Sequence, residues 1–256
     1  MATPRKRGRK PAERTVAQKA VADATAALIF LYCFSAVNQL ATWVAPYTGL
    51  SQAGTSMAIV LALLVAMGPV CERLGGGQPA LYNPANNGFV WATGSGTAWE
   101  HIVRSVAQSL GALGGVLLAR ALLPPSWTKH LSGFAVGVRP GYGLLDGAAC
   151  EFALGLLITF IVLVCNELQN STLKLWIPLL ATVVAVKAGE HVSGPSLNSA
   201  FTFAFAYLYP AQSMAEHVFV YWLAPVAAGI FGGWCFLGYQ QWRRQRQQPQ
   251  RRAKAD

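Results

Sequence analysis

Two stretches decide how this chain folds: Tyr82-Asn83-Pro84-Ala85-Asn86-Asn87-Gly88-Phe89-Val90-Trp91-Ala92 and Leu197-Asn198-Ser199-Ala200-Phe201-Thr202-Phe203-Ala204-Phe205-Ala206-Tyr207. Each sets an Asn, one Pro or small residue and an Ala ahead of about two apolar turns. Each follows a Gly-rich approach, Gly75-Gly76-Gly77 in the first case and Gly189 to Gly194-Pro195 in the second, and each precedes another long apolar block. Asn is a favoured helix N-cap, its side-chain oxygen accepting backbone N–H groups. The apolar turns that follow are too short to cross a bilayer, which takes roughly 20 helical residues.

The rest of the chain supplies full spans. Of its 256 residues 54% are hydrophobic and 12% charged, too little charge to cover a soluble surface. Six apolar blocks, 21–44, 55–70, 102–123, 144–168, 173–187 and 217–239, are predicted to cross the membrane, the second and fifth being short. The first span of each half begins alike: Asp23 leads Ala24-Thr25-Ala26, and Glu151 leads Phe152-Ala153-Leu154. Each half therefore runs acid-led span, span, Asn loop with half-helix, span, over about 21–123 and 144–240. A Pro- and Gly-containing stretch, 124–143, joins them. Three spans per half is odd, so the halves run in opposite directions, an inverted repeat. The predicted fold is an all-α membrane protein with six transmembrane helices and two re-entrant half-helices. Gly111–Gly115 and Gly229–Gly233 are GxxxG pairs that let helix backbones approach closely in lipid.

Charge placement sets the expected topology. The formal net charge is +10, and 13 of the 20 Lys and Arg lie in two tails, seven within residues 1–19 and six after Trp242. Basic tails at 1–20 and 241–256 are expected to stay cytosolic on either side of a channel domain at 21–240, which agrees with an even number of spans. The run Pro4-Arg5-Lys6-Arg7-Gly8-Arg9-Lys10-Pro11 loosely matches a nucleic-acid hook, but it precedes a span and reads as topology or anionic-lipid contact, so no nucleic-acid partner is expected. The first apolar block is too long for a signal peptide. Cys33, Cys71, Cys150, Cys165 and Cys235 show no metal spacing and read as small apolar residues. His101, His130, His191 and His217 lie near span ends and read as wet interfacial side chains. No catalytic triad, phosphate loop or metal cluster is apparent, so neither an enzyme nor a cofactor is expected.

A half-helix cannot end in lipid, because its free N–H groups would go unsatisfied. Two half-helices entering from opposite faces can meet end to end at the midplane. Asn83 and Asn198 would then stand at facing N-termini, each an amide donor beside a positive dipole end. This suits a neutral polar molecule in single file and repels cations. The blander reading, two Asn that merely cap buried helices, weakens when the loops match in inverted halves.

Asn83-Pro84-Ala85 is the signature triplet of the aquaporin, or major intrinsic protein, family, and Asn198-Ser199-Ala200 resembles its second copy. The resemblance covers about 21–239. It implies water or a small neutral solute as substrate, contact with membrane lipid and a homotetramer. Ser199 removes a fixed φ at a position where Pro is favoured but not obligatory. The family usually places Arg after the second triplet; this chain has Phe201. By the resemblance the outer selectivity filter reads Val60, Val186, Pro195 and Phe201, and Glu151 and Asp23 are structural braces of the two return loops. This filter, the Gly194-Pro195-Ser196-Leu197-Asn198 approach and the high pI resemble the small basic intrinsic protein branch of plants, which implies the endoplasmic reticulum membrane. Lys187 follows Val186 by one position and so points about 100° away. It reads as a surface side chain pairing with Glu190 or Glu100, the alternative being a surrogate charge leaning into the outer vestibule. Two alternatives to a water channel stand open: a non-conducting membrane-organising protein that keeps this fold, with Phe201 as a plug, and a channel for glycerol, peroxide or ammonia.

Overall fold

The computed structural model describes residues 14–252, with side chains to residue 247. The basic residues Arg5 to Lys10 and Lys254, which carry much of the tail argument, fall outside the described residues. The chain forms α1 (Val16–Phe34), α2 (Val37–Thr48), α3 (Gln52–Gly75), α4 (Pro84–Ala92), α5 (Ala98–Leu122), α6 (Pro125–Thr128) and a 3-10 turn (Leu131–Phe134). The second half forms α7 (Leu144–Cys165), α8 (Ser171–Gly189), α9 (Ser199–Leu208) and α10 (Met214–Val218), which runs through a π turn (Phe219–Leu223) into α11 (Ala224–Arg252). Six helical spans are long and apolar enough to cross a membrane, and no strand occurs among the described residues. The protein is a multi-pass membrane protein.

Polar caps lengthen the spans beyond their apolar blocks. The first starts at Val16, not Val21, because Thr15 and Gln18 form a reciprocal capping box that satisfies two N–H groups. It also ends early. Ser35 Oγ donates to the Leu31 carbonyl at 2.7 Å, in competition with the helix ladder, and the chain restarts as α2. The second span, expected at 55–70, runs from a Ser51 cap to Gly75. The fifth runs from an Asn170 cap to Gly189.

The halves interlock through glycine. A Cβ on Gly111 or Gly115 would overlap the α1 backbone at Ala24 and Leu28, so α5 lies directly against α1. A Cβ on Gly229 would overlap the Ala85 carbonyl, so α11 lies against the first half-helix, α4. The second half-helix, α9, packs in turn on α5. Each half-helix is thus clasped by the last span of the opposite half. Large apolar side chains such as Leu157, Leu180, Val184 and Phe231 stay exposed on the outer faces, as lipid contact requires.

Candidate channel site

Asn83 sits in extended backbone (φ −142°, ψ 118°) and its Oδ1 accepts the Ala85 N–H at 3.0 Å, with Pro84 opening the helix. Asn198 has nearly the same backbone (φ −144°, ψ 102°), and its Oδ1 accepts from Ala200 at 3.1 Å and Phe201 at 3.3 Å. Ser199 stands where the first half has Pro, and α9 forms regardless, because the Asn cap supplies what Pro would have pre-set. Pro84, Ala85, Ser199 and Ala200 are all buried.

The two Asn also reach across to each other's loop. Asn83 Nδ2 donates to the Leu197 carbonyl at 2.7 Å, and Asn198 Nδ2 donates to the Tyr82 carbonyl at 3.3 Å. One N–H of each amide is spent on this reciprocal latch, and each amide carries two. Both Asn remain partly exposed. Leu197 has φ +51°, a left-handed conformation that L side chains rarely adopt. This strain is held by the latch on its carbonyl and by Glu151 on its N–H.

The two acids hold the two loops. Asp23, 1% exposed, accepts the Leu81 N–H at 2.8 Å. Glu151, 0% exposed, accepts from Ser196 N–H at 3.2 Å, Leu197 N–H at 3.3 Å and Ser193 Oγ at 3.0 Å. Arg104 binds Asp23 through Nε at 2.8 Å and Nη2 at 3.1 Å, and Gln108 adds a bond at 2.7 Å. Glu151 makes no ion pair with the described residues; instead Tyr221 Oη ties the Ser193 carbonyl at 2.5 Å.

Arg104, Gln108 and Tyr221 were not singled out in the sequence. A signal for their helices exists: Thr97-x-x-Glu100-His101 recurs as Ser213-x-x-Glu216-His217, and Thr97 and Ser213 both cap their helices. His101 is a correction. It is buried, not wet, with Nδ1 3.3 Å from Asn87 Oδ1 and Nε2 2.7 Å from the Ser95 carbonyl. Its ring joins the first half-helix to the start of α5. Cys33 and Cys235 are exposed on helix faces while Cys71 and Cys165 are buried, and all five cysteines are unbonded.

The four positions expected to line the outer filter lie on α3, α8, the second return loop and α9. Val60 lies on α3 and Val186 on α8, both partly buried. Pro195 is buried on Gly189, where any Cβ would strike its ring. Phe201 is partly buried, its ring edge-on to Phe34 (centroids 4.9 Å, 90°) and packed on Phe205 (4.7 Å). Lys187 is 63% exposed and pairs with Glu190 at 2.5 Å; its hydrogen bond and charge hold the Glu190 carboxyl below the usual carboxylate range. Glu100 pairs instead with Lys19 at 3.1 Å and Arg104 at 3.5 Å.

An inverted repeat closed at its centre by two mutually latched half-helices defines a membrane channel class rather than an enzyme. The family model of the major intrinsic proteins matches residues 11–236, and the chain belongs to that family. It is 29% identical over 225 residues to aquaporin SIP1-2 of Zea mays, covering 85% of this chain and 90% of the relative. Aquaporin-8 of Mus musculus is 26% identical over 213 residues, 82% of this chain and 76% of the relative. The aquaglyceroporin structure from Plasmodium falciparum superposes with a TM-score of 0.64 over 88% of this chain and 95% of that one, at 15% identity, a likeness of fold.

Proposed function

We propose that this channel conducts water passively, admitting other small neutral solutes as far as size allows. The observation that carries the reading is the latch itself. Each Asn amide spends one N–H on the opposite loop, which fixes its plane, and keeps a second for a passing oxygen. The facing N-termini of α4 and α9 each carry roughly half a positive charge, which repels cations, including the hydrated proton. Val60, Val186, Pro195 and Phe201 form an apolar outer filter, beside which shedding hydration costs an ion several kcal/mol even after relaxation. Phe34 and Phe205 hold the Phe201 ring in one position, and the shrinkage rate tests whether that position leaves the path open.

The same proposal includes both termini in the cytosol, so that the 75–83 loop enters from the cytosolic side and the 189–198 loop from the other. It includes a homotetramer surrounded by lipid, resting on the resemblance to the wider family, and residence in the endoplasmic reticulum membrane, resting on the resemblance to the plant branch. The test is osmotic shrinkage of liposomes carrying the purified chain, first with an impermeant osmolyte and then with glycerol. Faster water loss than protein-free liposomes is expected. A rate equal to that of protein-free liposomes would overturn the reading and favour the non-conducting alternative.

A further inference from the structure

Arg139 lies in the connection between the halves, yet it is built into the second return loop. Its backbone N–H donates to the Val192 carbonyl at 2.9 Å, and its Nε donates to the Glu190 carbonyl at 3.1 Å. Its guanidinium lies over Gly194, so closely that a Cβ there would stand 2.8 Å from Nη2 and 3.2 Å from Cζ. Gly194 has φ +55°, so glycine suits both the turn and the guanidinium above it. The next residue is Pro195. The Glu190 carboxylate feels the charge of Arg139 at longer range as well as that of Lys187, so the three side chains together keep a net positive charge. Glu190, the carboxylate of this loop, pairs with Lys187 at 2.5 Å, and Arg139 forms no salt bridge with the described residues. The arginine is exposed, with Nη1 and Nη2 making no hydrogen bond to the described residues.

The geometry points to Arg139 as the residue that places a fixed positive charge at the non-cytosolic mouth of the channel and so discriminates against cations. This inference rests on the proposed conduction route. A charge beside a low-dielectric constriction acts more strongly than the same charge in bulk water. Arg is suited to it because a guanidinium stays protonated at any physiological pH. Neutral solutes feel no net force from it. Lys187, tied to Glu190 and turned outward, does not share the role.

The test uses the full chain in liposomes as wild type, Arg139→Gln and Arg139→Lys, with water shrinkage, potassium efflux, proton leak by an internal pH dye, and chloride efflux read on each. Arg139→Gln should keep water permeability within about twofold and raise potassium and proton leak about tenfold at low ionic strength, an effect that fades near about 1 M salt. Chloride efflux should not rise. Arg139→Lys keeps the charge while giving up the bond to the Glu190 carbonyl, and should exclude cations as the wild type does. A wild type that conducts water while Arg139→Gln leaks no more cation overturns this inference alone. So does a joint rise of potassium and chloride, which would mean a loosened loop, or a leak in Arg139→Lys equal to that in Arg139→Gln. A wild type that conducts no water overturns the conduction reading, and this inference with it.

Discussion

Asp23 and Glu151 occupy equivalent places, each buried on the first span of its half and each holding backbone N–H groups of the loop that precedes a half-helix, yet only Asp23 faces a cation. The difference lies on the last span of each half. Arg104 stands seven residues after the Thr97 cap, and the residue seven after the Ser213 cap is Val220, inside the π turn. Its neighbour Tyr221 then binds the Ser193 carbonyl, and Ser193 Oγ binds Glu151. One loop is therefore braced by a buried ion pair and the other by a ring of hydrogen bonds around one carboxylate. An ion pair holds strongly only while both members are present, because each alone is a buried charge. A hydrogen-bonded ring loses its members one at a time.

The largest effect should follow from breaking the ion pair. Arg104→Met leaves Asp23 buried against Gln108 and the Leu81 N–H, and should destabilise the protein by about 3–5 kcal/mol. A thermal melt in detergent should show a large fall in Tm, and a loss no greater than that of Glu151→Gln would erase the contrast between the halves. Glu151→Gln comes next. The amide oxygen can keep Ser193 and Ser196, but the NH2 would confront the Leu197 N–H, for a loss of about 1–3 kcal/mol. Tyr221→Phe leaves the Ser193 carbonyl with one donor fewer, about 1 kcal/mol. It should add to Glu151→Gln by less than the sum of the two, since they share Ser193. The smallest effect belongs to Lys187→Ala. The pair is exposed, so its contribution is present above the unfolded-state pKa of Glu190 and disappears as pH falls through the lowered folded value. The melt should not change measurably at neutral pH, while the Glu190 carboxyl should titrate higher in the variant.

Much of this was legible in the sequence because the bilayer constrains so strongly. Six apolar blocks, two matched Asn loops and two acids at like positions determine the inverted repeat, since half-helices have nowhere else to end. Both Asn caps, the Lys187–Glu190 pair and the tight approach of Gly111, Gly115 and Gly229 follow from local chemistry. The rest depends on tertiary contact. Nothing in the spacing of Asp23 and Arg104, 81 residues apart, announces their ion pair. His101 looked interfacial because it lies one turn from a span end, and only the packing of α4 against α5 buries it. The first span departs from its apolar block at both ends, since hydropathy registers neither the Thr15 capping box nor the back-bonding of Ser35. The strained Leu197 is invisible in a sequence, because a Leu at φ +51° exists only by virtue of what holds its two peptide groups.

On the proposed route, solute passes between the two latched Asn amides. The most direct measurement is the osmotic shrinkage rate of liposomes carrying equal amounts of folded wild type and Asn198→Leu. The leucine is branched like asparagine though larger, and offers no N–H to a passing oxygen; it gives up the cap on Ala200 and Phe201 as well as the bond to the Tyr82 carbonyl, so the melt must show that α9 survives. Asn198→Leu should fall close to the rate of protein-free liposomes while its melt shows the protein still folded. An Asn198→Leu channel with wild-type water permeability would contradict the proposed route, since conduction would then follow a path that does not use this donor.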